Sequence, residues 1–189
     1  MIPLICDAPP DCITVGEKKL KVNTDYRRWL IVYEILSSDS AMSIPLGLKA
    51  RLAAECVLEC EIGEDEYGAF LDGAYSFLLR RETNDIHDNV IHNTAAREKL
   101  FDFSADSALI LASFLSEYGI DLTKERMHWY KFMALLTSLP PTSPLMRTVA
   151  LRAADLSIVE NDRVRRGLRR AKNAVRIKDE RKDEQWTVR

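Results

Sequence analysis

The chain opens with a short alternation of apolar and polar residues on both sides of a Gly16-Glu17 pair, in DCITVGEKKLKV. Alternation places every second side chain on one face of a strand, and a glycine-containing pair between two such runs is typical of a hairpin turn. The pattern predicts a small N-terminal β-hairpin, and because a lone hairpin is only marginally stable we expect it to lie on helices. Its inner face would carry Ile13, Val15, Leu20 and Val22.

Apolar residues then recur at the three- and four-residue spacing of a helix. The first predicted helix has Thr24 as its N-cap, and the second begins at Ser43, has Pro45 in its first turn and stops near Gly63. A third is expected from residue 64 to residue 81, with acidic residues at its start and arginines at its end. The core-facing positions are Trp29, Val32, Tyr33 and Leu36 in the first helix and Phe70, Ala74, Phe77 and Leu78 in the third.

The polar segment 82–99 has no sustained period and is predicted to be an exposed loop. Helical spacing resumes in FDFSADSALILASFLSEYGIDL, where Ser104 is the expected N-cap and Gly119 the C-terminal stop. The following helix is expected to be capped by Thr123 and to end before Pro140-Pro141, because proline lacks an amide donor. The predicted buried stripe of the helix before Gly119 is Leu109, Ala112 and Leu115. That of the helix before Pro140 is Trp129, Phe132, Met133 and Leu136.

Two more helices complete the predicted fold. Ser143-Pro144 begins one, and ENDRVRRGLRRAKNAVRI forms the last, with an apolar side of Val164, Leu168, Ala171 and Val175. We therefore predict a mainly α protein, a single helical domain of about six or seven helices with a small N-terminal β-hairpin. Its expected parts are a hairpin segment packed on the body (1–23), the helical domain (24–177) and a charged C-terminal tail (178–189).

Composition adds limits on the class of protein. The 189 residues are 47% hydrophobic, which suffices for a core, yet no apolar run approaches the roughly 20 residues of a membrane-spanning helix. The start of the chain is unlike a secretory signal, so we expect a cytoplasmic protein that makes no membrane contact. Net charge is −2 but uneven, with about 11 basic and 6 acidic residues from Glu160 onward against about 16 and 23 before it.

The candidate metal ligands are weak. Cys56 and Cys60 lie four apart on a predicted helix, with Cys6 and Cys12 as further possible ligands, but the usual paired spacings of zinc sites are missing and reduced structural thiols are favoured. His87 and His92 in DIHDNVIH are five apart, which does not align two ligands on a helix, so solvated loop residues are favoured. We predict no metal and no cofactor.

Catalytic patterns are also missing from the sequence. There is no glycine-rich phosphate loop and no serine elbow, and the carboxylates of EIGEDEY and FDFSAD are better explained as charge at helix N-termini and on solvated faces. His128 lies beside an apolar stripe and is interpreted as a hydrogen-bonded structural residue. We expect no catalytic residues and a protein that is not an enzyme.

The basic run RVRRGLRRAKNAVRIK is the remaining candidate surface. Its arginines can neutralise phosphates, but it contains no aromatic residue for base stacking and acidic residues follow at once. A solvated helix, or one that docks on the acidic body or on an acidic protein, is therefore favoured over nucleic acid. Under the nucleic-acid hypothesis the contact residues would be Arg165, Arg166, Arg169 and Arg170.

Together, four segments resemble the gene-product-fifteen family of small helical proteins from tailed phages and prophages of Gram-positive bacteria: NTDYRRWLIVYEIL, FDFSADSALILASFLSEYGIDL, MHWYKFMALLTSLP and VALRAADL. The resemblance spans nearly the whole chain, although the loop 82–99 and the tail after Ile177 are longer than the family pattern.

This resemblance implies a tail assembly protein in the host cytoplasm, a non-enzymatic chaperone that binds the tape-measure protein during tail morphogenesis. A second copy of the chain, in a homo-oligomer, is a further candidate partner. The alternative is a structural or nucleic-acid-contacting virion protein that uses the basic C-terminal helix.

Overall fold

The structure is a computed structural model that describes residues 8–37, 44–79 and 99–177. Seven α-helices and one two-stranded antiparallel sheet lie in these residues, which confirms the predicted mainly α fold with an N-terminal hairpin. The strands are β1 (Cys12–Val15) and β2 (Lys18–Lys21). The helices are α1 (Tyr26–Ser37), α2 (Leu46–Val57), α3 (Tyr67–Leu79), α4 (Ser107–Tyr118), α5 (Trp129–Thr137), α6 (Pro144–Ala153) and α7 (Asp162–Ala174).

The described residues form two compact units. The N-terminal unit lies within Met1–His87 and Arg126–Ala134, and the C-terminal unit within Asp88–Glu125 and Leu135–Arg189. The boundaries expected at residues 23 and 177 stay predictions. Ser43, Arg81, nearly all of the loop 82–99 and the tail 178–189 lie outside the described residues.

The hairpin has the predicted turn and inner face, although Leu20 is only half-buried. Ile13 pairs with Leu20 and Val15 with Lys18, and Gly16 has a φ of 59° that only glycine adopts without strain. The inner side chains of Ile13, Val15 and Val22 are buried. They lie against α3, where the missing side chain of Gly73 lets the backbone of β1 approach. The hairpin is therefore stabilised by packing on a helix, as its short strands require.

Aromatic side chains from three segments form the core of the N-terminal unit. Trp29 of α1 stacks on Phe77 of α3 with ring centroids 4.0 Å apart, and Phe77 stacks on Tyr130 of α5 at 4.8 Å. Two backbone hydrogen bonds attach the start of α5 to the start of α1: the Trp129 amide donates to the Thr24 carbonyl at 2.8 Å, and the Tyr26 amide donates to the Met127 carbonyl at 3.0 Å. Of the predicted stripe of α5, Trp129, Phe132 and Leu136 are buried as expected, and Met133 is half-buried.

A buried ion pair organises the C-terminal unit. The Arg152 guanidinium of α6 donates to both carboxylate oxygens of Asp106, at 2.7 and 2.8 Å, and the two side chains are only 8% and 1% exposed. Arg152 also donates to the carbonyls of Leu100 and Val175, and the Asp106 carboxylate accepts from the Asp102 amide. The expectation that the carboxylates of FDFSAD serve only as helix-terminal or solvated charge is wrong for Asp106.

The predicted stripe of α4 is also wrong. Ile110, Ser113 and Phe114 are buried, whereas Ala112 is exposed and Leu115 is 55% exposed. The helix is apolar almost all round, so spacing alone does not select a face. The Ser113 hydroxyl decides the matter, because it accepts a hydrogen bond from the Leu145 amide at 3.0 Å inside the unit.

Several helix starts and ends differ from the predictions because tertiary contacts compete with local capping. Asp25, not Thr24, accepts from the Arg27 amide at the start of α1, and α4 begins at Ser107, beyond Ser104. Thr123 bonds to Asp121 in a turn, so α5 begins six residues later. Helix α2 ends at Val57, well before Gly63, because Leu58 pairs with Val22 of the hairpin segment. Three predictions are confirmed: α4 stops at Gly119, α5 ends before Pro140, and Ser143 is the N-cap of α6.

We predict that Gly73→Ala lowers the free energy of unfolding by about 1 kcal/mol or more, because a Cβ at this position would lie 2.5 Å from the Thr14 carbonyl oxygen. Urea unfolding followed by circular dichroism measures the change. Gly68→Ala in the same helix is the control, since its Cβ meets nothing within 4 Å and helix propensity then favours alanine by up to about 1 kcal/mol. Equal effects of the two substitutions would contradict the close packing of β1 on α3.

We also predict that Arg152→Met costs about 3–5 kcal/mol, because it leaves the buried Asp106 carboxylate without its partner. Arg147→Met, at an exposed position of the same helix, should change stability by no more than about 0.5 kcal/mol. The double variant Asp106→Asn/Arg152→Met should be less destabilised than the single Arg152→Met variant, because no unpaired charge remains. A cost below about 1 kcal/mol for Arg152→Met would show that the pair does not organise the unit.

Candidate functional site

A surface groove of about 480 Å³ lies between the start of α2 and the start of α3 in the N-terminal unit. Its walls are mainly apolar, with one cation and one carboxylate at the rim. Two glycines keep it open: a Cβ at Gly68 would meet nothing within 4 Å, and one at Gly47 would lie 3.8 Å from the Tyr67 ring. The lining residues are Leu46, Gly47, Leu48, Arg51, Glu64, Tyr67, Gly68 and Leu71.

Helix α2 has the reverse of the usual size distribution between core and surface. Its buried residues are Ala50, Ala53, Ala54 and Val57. Its leucines are left in solvent, with Leu46 63%, Leu48 45% and Leu52 37% exposed. The small buried residues allow α2 to pack closely on neighbouring helices. They do not explain why three leucines are exposed to solvent. Clustered exposed apolar side chains often mark interaction sites.

The charges beside the groove are held by partners on nearby elements. Arg51 pairs with Glu55 one turn later at 2.9 Å, and Lys18 of the hairpin pairs with Glu66 at 2.6 Å. The hydrogen bond from Lys18 lowers the pKa of Glu66, so this carboxyl stays ionised at neutral pH. A groove with an apolar floor and a charged rim can accept apolar side chains of a peptide or helix, with the rim charges selecting their orientation.

The four arginines predicted for nucleic acid do not act as one set. Arg165 is bonded locally: it donates to the Val159 carbonyl at 2.8 and 2.6 Å and lies 3.0 Å from Asp162. Arg166, Arg169 and Arg170 are exposed on α7, as is Arg163, which was not among the predicted contacts. A nucleic-acid role for these residues stays a prediction.

The structure changes the interpretation of the cysteines. Cys60 lies beyond the end of α2, so Cys56 and Cys60 do not share a helix face as expected. Burial raises the pKa of the Cys56 thiol, which favours its protonated form. Within residues 8–37, 44–79 and 99–177 no three His, Cys, Asp or Glu side chains come together as metal ligands. Cys6, His87 and His92 lie outside the described residues.

His128 is half-buried and bridges two segments of the N-terminal unit. Its Nδ1 accepts a hydrogen bond from the Tyr130 amide at 3.0 Å, so the neutral ring carries its proton on Nε2 and donates it to the Pro10 carbonyl at 2.9 Å. The ring therefore caps the first turn of α5 and attaches the segment before β1. Burial lowers the pKa of His128, although the Pro10 carbonyl and the Asp11 carboxylate oppose the shift. These contacts give His128 the structural role that the sequence suggested.

The groove is absent from the sequence predictions. Helical spacing places Leu46 and Leu48 in the second predicted helix and Tyr67 and Gly68 in the third, with nothing to join them. A signal was present in LGLKARLAAECV, because alanines occupy one helical face and Leu48 and Leu52 the other. The joining of α2 and α3 into a groove depends on tertiary packing and has no counterpart in the pattern.

The described residues thus define a mainly α protein with an open apolar groove, and none of their helices is long and apolar enough to cross a membrane. Residues 6–177 match the model of one protein family, described as Bacteriophage Gp15 protein. Since the match covers most of the 189 residues, the chain belongs to the bacteriophage Gp15 family, which confirms the resemblance seen in the sequence. Comparison with curated proteins and with solved structures found no match.

We predict that stability falls as the pH drops below about 6.5, the ordinary pKa of histidine, because the unfolded chain takes up a proton that folded His128 resists. Above that pH the stabilising contribution is fully present. Unfolding free energies measured between pH 8 and pH 5 should show this slope, and the slope should be smaller in His128→Gln. If the variant keeps the full slope of the wild-type chain, other groups dominate the titration and His128 is not the cap.

Proposed function

We propose that this member of the Gp15 family is a phage tail assembly protein, a non-enzymatic chaperone that binds the tape-measure protein during tail morphogenesis. Family membership supports a phage protein. The tail role rests on the resemblance, since such proteins are similar in placement to the tail chaperones. The observation that carries the proposal is the groove between α2 and α3 with its exposed leucines.

The groove suits a partner with an apolar helical stripe. A tape-measure protein is long and helical, and before the tail tube covers it such a chain exposes apolar side chains that favour aggregation. An amphipathic helix places its apolar side chains in a hydrophobic groove at three- and four-residue spacing. Leu46 and Leu48 line the groove, and Leu52 lies one turn beyond Leu48 on the same face of α2, so the helix offers an apolar pair that continues from the groove.

The binding free energy that the exposed leucines can supply is suited to reversible binding of a client protein. Full burial of a leucine side chain contributes roughly 1.5–3 kcal/mol, and these leucines start only partly exposed. After the entropic cost of association, a few such contacts support transient binding and no more. A chaperone must release its client when the tail tube forms, so modest affinity is suited to this role.

The proposal predicts that filling the groove weakens tape-measure binding while the fold persists. Gly68→Gln and Leu48→Gln should each reduce the soluble tape-measure protein recovered on co-expression, and together they should reduce co-purification by about tenfold or more. Stability should change little, because Gly68 has open space above it and Leu48 is exposed.

Two substitutions elsewhere provide matched controls. Leu115→Gln replaces an exposed leucine of the C-terminal unit, and Gly167→Gln replaces a helical glycine with open space. Both should leave tape-measure recovery unchanged. Equal losses in all four variants would place the contact outside the groove. A fixed copy number of the protein in purified virions would oppose the chaperone role itself and favour a structural one.

A further inference from the structure

Helix α7 has two sides with different chemistry. At 100° per residue, Arg163, Arg166, Arg169 and Arg170 fall within about 120° of the helix surface, opposite the apolar side. All four are exposed, and we call them the arginine face. The cations outside this arc are used internally: Lys172 donates to the Ala154 carbonyl at 3.2 Å and Arg165 to the Val159 carbonyl.

The arginine face has no carboxylate partner among the residues that the structure describes. Arg166 donates only to the Asp162 backbone carbonyl of its own helix, at 3.3 Å, and the ion pairs of the described residues include none of the four side chains. Four neighbouring cations create a local positive potential, and this potential favours the binding of an anionic partner. The hydrogen bonds of Lys172 and Arg165 attach other sides of the helix, and the four arginine side chains remain outward.

A matching surface lies in the N-terminal unit, between α2 and α3. Glu59, Glu61, Glu64 and Asp65 are exposed, and we call them the acidic loop. Their neighbours Glu55 and Glu66 are paired with Arg51 and Lys18, but no cation of the described part of the chain forms an ion pair with the loop itself. The two surfaces therefore carry four charges each, of opposite sign, and the Asp162 carboxylate beside the arginine face is paired with Arg165.

We propose that the arginine face of one copy docks on the acidic loop of a second copy. Charge complementarity favours this partner over nucleic acid: the chain carries a net −2, its acidic residues lie mostly before Glu160, and α7 has no aromatic residue on which a base could stack. The contact joins two different surfaces, so it is head-to-tail and extends into an open chain or closes into a ring.

The association is weak and sensitive to salt. Exposed ion pairs contribute little each, and ions at about 0.15 M screen them beyond roughly 8 Å. Sedimentation velocity of the full chain at increasing concentration should show association in about 50 mM salt and a monomer in about 500 mM salt. This inference does not rest on the proposed chaperone role, because it concerns surfaces other than the apolar floor of the groove.

Charge reversal tests the two surfaces separately. Arg169→Glu/Arg170→Glu cancels the arginine face, and Glu59→Lys/Glu61→Lys cancels the acidic loop without touching a groove residue. Each variant alone should lose association by about tenfold or more. An equimolar mixture should associate again as one-to-one pairs, because each variant keeps the surface that the other has lost.

Arg126→Glu/Lys131→Glu is the matched control, since it reverses two exposed cations outside α7 and changes the net charge equally. It should associate like the wild-type chain. A wild-type chain that stays monomeric at every concentration in low salt overturns the proposal, as does a mixture that fails to associate. Binding of duplex DNA by the wild-type chain without self-association, lost in Arg169→Glu/Arg170→Glu, would assign the face to nucleic acid instead.

Discussion

The C-terminal unit depends on the buried pair between Asp106 and Arg152. The arginine donates to two carboxylate oxygens and to the carbonyls of Leu100 and Val175, so it joins α6 to the stretch before α4 and to the end of α7. Burying two charges is costly, and such a pair adds little net stability compared with apolar packing. No buried side-chain nitrogen or oxygen of the described residues lacks a hydrogen-bond partner. We therefore regard the pair as a device that specifies one arrangement of these segments.

The N-terminal unit is organised by shape instead of charge. Stacked rings of Trp29, Phe77 and Tyr130 fill its core, and α2 packs on α1 and α3 with its alanines buried. Close packing through small residues leaves the leucines of α2 outside, beside a groove that two glycines keep open. The feature that makes the unit compact thus also produces its candidate binding surface, which is why core and function are joined in one helix.

Local patterns failed where several faces were equally apolar or where a distant residue offered a better hydrogen bond. In α4, eight of the twelve residues are apolar and they lie on several faces, and the buried face includes Ser113, whose hydroxyl accepts from the Leu145 amide. Leu58 ends α2 early because Val22 offers it a strand partner. Asp106 looked like one more acidic residue at a helix start, since nothing in FDFSAD shows that an arginine 46 positions later will bury it.

The sequence by itself determined the class of fold, the hairpin and its inner face, the two strongest helix stops and the family, because these depend on spacing, turn residues and motifs within short stretches. Trp129, Phe132 and Leu136 were correctly placed in the core for the same reason. Only the tertiary structure decided the partner of Asp106, the burial of Tyr130, the groove and the separation of Arg165 from the outward arginines. The first three result from side chains far apart in the chain meeting in space, and Arg165 is set apart by its bond to the Val159 carbonyl before the helix, so helical spacing encodes none of them.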